Sequence, residues 1–177
     1  MRIISGKYKG KRLFAPKKLP VRPTTDMAKE GLFNILNNQV TFSDISVIDL
    51  FAGTGNISYE FASRGTADII AVDSHHLCLR YIKSIAEELD ISLEIIKSDV
   101  YTFLEKSNRK ADIIFADPPY DFKTEQFSRI AQLVFEKKLL NKDGILIIEH
   151  SKYMSLEDTP HYTHSRKYGG SVFSFFQ

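Results

Sequence analysis

Apolar and polar positions change rhythm repeatedly along this chain, and each change marks an element. In "DMAKEGLFNIL", Met27, Leu32, Ile35 and Leu36 recur near helical spacing, with Thr24 or Thr25 placed to cap the helix. "SVIDLF" (46–51) is a short β-branched run that stops at Ala52-Gly53-Thr54-Gly55, which predicts a strand entering a tight turn. "ISYEFASR" reads as the next helix, closed by Gly65. Strands follow at "DIIAVD" (68–73), "SLEIIKSD" (92–99), "ADIIFA" (111–116) and "GILIIEH" (144–150). Between them, "HLCLRYIKSIAEEL", "VYTFLEKS" and "TEQFSRIAQLVFEKKLL" carry helical periodicity. The tail "HYTHSRKYGGSVFSFF" reads as two strands about Gly169-Gly170, with Phe173, Phe175 and Phe176 bound for the core. Strands alternating with helices predict an α/β fold: a mostly parallel sheet of seven strands, covered on both faces, with an antiparallel C-terminal pair.

In such sheets ligands sit beyond the carboxyl ends of the strands. Acids stand there repeatedly: Asp49 near the end of the first strand, Asp73 at the second, Asp99 at the third and Asp117 at the fourth. In "DLFAGTGN", Gly53 and Gly55 permit a sharp turn and a close ligand approach, and the helix that follows offers unpaired N–H groups. The loop matches neither a phosphate-cradling G-x-x-x-x-G-K-[ST] nor a complete G-x-G-x-x-G, since position 58 is serine. By itself it can also be a purely structural turn. Asp73 lies 18 residues beyond Gly55, near the spacing of about 20 at which an acid meets ribose hydroxyls. Its alternative is a surface helix cap. Together, loop and acid favour a nucleoside-type ligand, with Asp99 placed to accept from an adenine amine.

The fourth strand runs into Asp117-Pro118-Pro119-Tyr120. Two prolines end the strand, and the first holds Asp117 extended. An acid held beside a cis-like or extended Pro-Pro pair suits a planar base with an exocyclic amine. The Asp117 carboxylate and the Pro118 carbonyl can accept the two amine protons, and Tyr120 can stack on the ring. The plainer reading is a strand-terminating turn with an exposed tyrosine. A base must leave its helix to enter such a pocket.

The charge totals change this picture in one respect. Net charge is +2, but residues 1–25 hold eight basic side chains and no acid, leaving 16 basic against 22 acidic residues in the rest. "MRIISGKYKGKRLFAP" alternates apolar and basic residues around Gly6 and Gly10, which suits a hairpin with a cationic face better than a solvated tail. Arg2, Lys7, Lys9, Lys11 and Arg12 then become candidate phosphate contacts, because neutralising phosphates releases counterions. Residues 1–24 are expected to form this basic extension and residues 25–177 the main domain. One cysteine, Cys78, excludes a disulfide framework or cysteine-cluster zinc site, and fits a reducing, cytoplasmic location. No apolar run approaches the ~20 residues of a membrane span. The paired histidines His75-His76 and the separated His161 and His164 suggest no metal site.

"RIISGKYKGKRL", "RPTTDMAKEGLFNIL", "VIDLFAGTG", "EFASRG", "ADIIFADPPY" and the late "KYGGS", in this order, resemble the S-adenosylmethionine-dependent amino-methyltransferases. The closer resemblance is to the RsmD-type enzymes that methylate the N2 amine of a guanine in bacterial 16S ribosomal RNA. The D-P-P-Y motif is shared widely among amino-methyltransferases; the N-terminal segments select this family. The resemblance implies a Rossmann-like class I methyltransferase domain with S-adenosylmethionine as cofactor. It implies that Asp49, Ala52, Gly53 and Gly55 surround the methionine part, Asp73 the ribose and Asp99 the adenine. Arg22, Pro23 and Thr24 would close over the methionine end, Asp117 through Tyr120 would hold the guanine amine, and the basic hairpin would grip ribosomal RNA, free or in an assembled small subunit or its precursor. The chain departs from the family in carrying Asp73 where glutamate is common and Ser84 near a common asparagine. Rival expectations are a DNA or other RNA amino-methyltransferase acting on adenine N6 or cytosine N4, a dinucleotide-binding oxidoreductase, and a non-catalytic RNA-binding module.

Overall fold

The central strands are apolar on both sides because helices cover both sides. In the computed structural model, which describes residues 1–16, 19 and 24–177, the elements in chain order are α1 (Asp26–Leu36), β1 (Ser46–Asp49), α2 (Asn56–Ser63), β2 (Asp68–Asp73), α3 (His76–Glu88), β3 (Glu94–Lys97), α4 (Val100–Lys106), β4 (Ala111–Ala116), α5 (Thr124–Glu136), β5 (Leu140–Ser151), β6 (Tyr162–Tyr168) and β7 (Ser171–Phe176). They form one seven-stranded sheet in the order β3-β2-β1-β4-β5-β7-β6. The first five strands pair in parallel, and β7 pairs antiparallel with both β5 and β6. The expected fold class is borne out.

Alternation along the buried strands sorts the core into two layers. Ile48, Ile114 and Ile148 pack with Phe127, Ile130 and Val134 of α5 on one face. Val47, Ile113, Phe115 and Ile147 pack with Leu32, Phe33 and Leu36 of α1 on the other. The chain winds outward from β1 to β3 and returns on the other side of β1 as β4. That reversal opens a crevice beyond the carboxyl ends of β1 and β4.

Several boundaries differ from the expected ones for local reasons. β1 ends at Asp49 rather than at residue 51, although Leu50 N–H still donates to the Phe115 carbonyl at 2.8 Å. α5 stops at Glu136 because Lys138 takes the left-handed conformation, with φ of +53°. β5 therefore starts early, at Leu140, and its pairing with β4 shifts register between Ala111 and Ile113. Thr25 is the residue that caps α1, accepting from Ala28 N–H at 3.2 Å.

The apolar stripe of α1 is rotated from its expected place. Leu32 and Leu36 are buried as expected, but Met27 is exposed and Lys29 is fully buried. Lys29 Nζ donates to the Arg2 carbonyl at 2.6 Å and to Asn56 Oδ1 at 2.8 Å, and lies 3.3 Å from Glu60. Glu60 also accepts from the backbone N–H groups of Ile4 and Ser5. The N-terminal stretch is a hairpin held by a single bridge between Arg2 and Arg12, flanked by Ile3 N–H to Lys11 carbonyl at 3.0 Å. Its Ile3 and Leu13 are buried against Tyr59 of α2 and Ile82 of α3. Phe173, Phe175, Phe176 and Cys78 lie in the interior. Among the described residues, no helix is long and apolar enough to cross a membrane.

Candidate active site

The strand register gathers three carboxyl groups at one end of one face. Asp49 stands opposite Phe115 on β4, and Ala116 stands opposite Ile148 on β5. Asp117 and Glu149, one step further along these parallel strands, are therefore neighbours, on the same face as Asp49. Glu149 was not among the expected site residues. It ends an apolar run just as Asp49 and Asp117 do, and the strand-end rule applied to the fifth strand would have found it.

Asp49 and Asp117 border a cleft of about 530 Å³, within the usual range for small-molecule sites. Its walls include Asp49, Ala52, Gly53, Asp73, Asp99 and Asp117, and both prolines and Tyr120 of the turn. Thus the structure brings together most of the expected residues. Asp49 is buried; its Oδ2 accepts from the Ser58 hydroxyl at 2.7 Å, while Oδ1 has no partner among the described residues. Burial pushes the Asp49 carboxyl up to about 7, the Ser58 hydroxyl opposing and the Asp73 charge assisting. A buried carboxylate oxygen without a donor fits a ligand ammonium group.

Asp73 borders the cleft and ties the glycine loop to the segment that leads into α3. Its Oδ2 accepts from Gly53 N–H at 2.8 Å, and its Oδ1 from His75 N–H at 2.7 Å, where α3 begins. The acid thereby fixes the glycine loop while bordering the cleft, and a carboxylate retains further acceptor sites. Asp99 caps α4, accepting from Thr102 N–H at 2.9 Å, a bond that holds its carboxyl below the usual range. Gly53 and Gly55 take φ of +52° and +76°. At Gly55 the close approach is by the protein itself: an added Cβ would run into the Tyr59 ring.

Asp117 is half-buried, Pro118 buried, and Pro119 and Tyr120 exposed. Among the described residues no peptide bond is cis, so the cis-like alternative for Pro118-Pro119 does not hold. Pro119 carbonyl accepts from Phe122 N–H at 3.0 Å, closing the turn. Burial pushes the Asp117 carboxyl well above the ordinary value, reinforced by Glu149 and Asp49 and opposed by the Thr24 hydroxyl. Thr24 Oγ1 donates to Glu149 Oε2 at 2.8 Å, and its carbonyl accepts from Asn56 Nδ2 at 3.0 Å. Arg22 and Pro23, expected beside it, lie outside the described residues.

A second cleft of about 390 Å³ adjoins the first. Thr24, Asp117 and Tyr120 border both clefts, and Glu149, Met27 and Tyr168 complete much of the second. Of the expected phosphate contacts, Arg2 pairs with Asp26 at 3.4 Å and Lys11 with Glu88 at 2.7 Å. Lys7, Lys9 and Arg12 are exposed on the hairpin, Lys7 Nζ lying 5.0 Å from the Tyr8 ring centre.

The family described as Conserved hypothetical protein 95 matches residues 1–177. The chain belongs to this family. The YlbH protein of Bacillus subtilis is 32% identical, over 90% of this chain and 87% of its own length. The ribosomal RNA small subunit methyltransferase D of Buchnera aphidicola subsp. Baizongia pistaciae is 30% identical, over 90% of this chain and 81% of its own. Among solved structures, the yhhF protein of Escherichia coli superposes with a TM-score of 0.86 at 25% identity, covering 100% of this chain and 97% of that one. A chain solved in complex with SAH superposes with a TM-score of 0.70 at 15% identity, covering 84% of this chain and 49% of its own, and shares the fold. The RsmD-type resemblance is borne out, and this family member is a methyltransferase.

Proposed function

We propose that this methyltransferase transfers a methyl group from S-adenosylmethionine to the N2 amine of a guanine in small-subunit ribosomal RNA. The observation that carries the reading is the position of Asp117 on the wall common to two adjoining clefts. Such a wall is where a methyl donor on one side must meet an amine on the other. Relatives whose names specify the ribosomal RNA small subunit, at 27–33% identity, support the choice of nucleic acid.

In this reading Asp49 Oδ1 accepts from the ammonium of the methionine part, beside Ala52, Gly53 and Gly55. Asp73 receives the ribose hydroxyls, and Asp99 the adenine amine. Arg22 and Thr24 close that end. The cofactor supplies an electrophilic methyl on a sulfonium, and the C–S bonding pair stays on sulfur when the amine lone pair takes the methyl. Asp117 accepts one amine hydrogen and the Pro118 carbonyl the other, which aims the lone pair across the shared wall. Tyr120, 70% exposed, offers its ring as a stacking surface for the extruded base. After the carbon–nitrogen bond forms, the surplus amine proton passes to an Asp117 carboxyl oxygen, whose proton affinity is raised by burial. Residues 1–24 act as the RNA-gripping extension, with Lys7, Lys9 and Arg12 on phosphate, and residues 25–177 as the catalytic domain.

Mass mapping of nucleosides in ribosomal RNA, from cells with and without this chain, tests the reaction. The expected result is one N2-methylguanosine present only with the chain; a difference at an adenine or cytosine would replace this reading with the N6 or N4 alternative. Asp117→Ala tests the residue: kcat should fall by at least about 10²-fold, with cofactor affinity by calorimetry nearly unchanged. Lost cofactor binding, or retained methylation, would remove Asp117 from this role.

A further inference from the structure

We propose that Glu149 selects guanine, its carboxylate accepting the base N1–H in the second cleft while Asp117 accepts from the neighbouring N2 amine. The inference rests on the reading of the second cleft as the base site. It adds a second contact, made by a residue outside the D-P-P-Y turn.

Three observations carry it. First, register sets Glu149 beside Asp117 on one face of the sheet, at the ends of adjacent parallel strands. Second, Glu149 is only 4% exposed yet borders the second cleft, together with Met27, Tyr120 and Tyr168. Third, its lone pairs are only partly used. Thr24 Oγ1 donates to Oε2 at 2.8 Å, and the nearby Ser171 hydroxyl lowers the proton affinity of the carboxyl. A carboxylate offers about four acceptor sites, so room remains for a ligand donor. Burial raises the proton affinity of Glu149, and the Ser171 and Thr24 hydroxyls oppose it.

The edge of the base decides what such a pair can recognise. Guanine places a donor, N1–H, next to its exocyclic amine. Adenine places the bare acceptor N1 beside its N6 amine, and cytosine the bare acceptor N3 beside its N4 amine. Two side-by-side carboxyl acceptors therefore match the N1–H and N2–H pair of guanine, and face lone pair to lone pair against the other two bases. The arriving donors also offset the repulsion between the carboxyl groups, so the correct base stabilises a pair that is unfavourable when empty. Rejection of a base lacking the donor follows from setting a buried Glu149 lone pair against the lone pair of that base.

2-Aminopurine makes the test clean, because it keeps the guanine 2-amine but carries a bare N1 acceptor. Once mapping has located the target guanine, small subunits can be reconstituted with RNA carrying either base at that position. Wild-type protein should methylate guanine at least about tenfold faster than 2-aminopurine in kcat/KM. Glu149→Gln, whose amide can donate to a bare N1, should lose most of its guanine activity and bring the two rates within a factor of about three. Equal wild-type rates on the two bases would overturn the inference without needing the variant, and would leave guanine methylation itself intact. Parallel losses on both bases in Glu149→Gln would also overturn it, since support of Asp117 alone predicts that result. If mapping finds no methylated guanine, the underlying reading fails first, and this inference with it. Thermal stabilisation of Glu149→Gln by S-adenosylmethionine, equal to that of wild type, reports that the first cleft is folded.

Discussion

Asp49 holds a carboxyl group that ordinary solvation would keep ionised above about pH 4, but burial moves it to about 7. The sign of the consequence is fixed. The folded chain keeps the Asp49 proton to higher pH than the unfolded chain, so the associated stability is full below about pH 4 and is lost as pH rises toward and through 7. If the ammonium of the proposed cofactor sits at Oδ1, cofactor binding runs the opposite way, because it favours the ionised carboxylate. Affinity for S-adenosylmethionine should rise with pH up to about 7 and then level off, with a slope of at most about one decade per unit. Calorimetry from pH 5.5 to 8.5 on wild type and Asp49→Asn isolates the residue from Asp73 and Asp117, which face the same cleft. A pH profile unchanged by Asp49→Asn would remove the ammonium contact. The acids at four strand ends were legible in the sequence, since hydrophobic runs that stop at an acid locate the carboxyl edge of a parallel sheet. The orphan Oδ1 and the Asp117–Glu149 adjacency were not, because both depend on pairing between segments more than thirty residues apart.

Elements with strong periodicity were legible to within a few residues, and the misses have particular causes. Lys138 ends α5 in a left-handed conformation that a non-glycine residue rarely adopts, so the sequence carries no stop signal there. The hairpin was legible from Gly6 and Gly10, but its docking was not. Gly6 takes φ of +82° and lies so near α2 that a Cβ would run into the Ser63 carbonyl; Lys7 N–H donates to that carbonyl at 2.7 Å. Docking also divides the basic residues. Arg2 and Lys11 are engaged by Asp26 and Glu88, whereas Lys7, Lys9 and Arg12 face solvent. Replacing those three by glutamine should lower the slope of log K against log salt for RNA binding by about 2 to 3. Replacing Arg2 and Lys11 instead should change it less. Filter binding from 50 to about 300 mM salt measures both; an unchanged slope in the triple variant means the hairpin does not touch phosphate.

Across the described residues, buried Lys29 ties the N-terminal hairpin to the start of α2 beside the first cleft. Lys29 is fully buried, and burial lowers its proton affinity while Glu60 raises it. Its ammonium reaches the Arg2 carbonyl of the hairpin, Asn56 at the start of α2, and Glu60. Asn56 in turn donates to the Thr24 carbonyl beside Glu149. Nothing in the sequence marks Lys29 as buried, because periodicity in a single helix cannot show that a second helix and a hairpin converge on it. Removing Lys29 leaves Glu60 with Arg64, at 3.0 Å, as its cation among the described residues. The loss is smaller than the cost of about 3–5 kcal/mol for a buried charge stripped of its partner, yet a sizeable share of the ~5–15 kcal/mol of a typical domain. Lys29→Met should therefore lower the urea midpoint markedly. Lys29→Met with Glu60→Gln should recover part of the loss, since glutamine removes the stranded charge and its carbonyl can still accept from the hairpin backbone. Glu60→Leu in place of glutamine should not recover it, because the Ile4 and Ser5 N–H groups would lose their acceptor. An unfolding free energy for Lys29→Met within about 1 kcal/mol of wild type would mean that Arg64 and the hairpin N–H groups compensate Glu60 without Lys29. If the ammonium instead joins hairpin to loop, the same variant should weaken RNA binding and cofactor binding together, under conditions where both wild-type and variant chains remain folded.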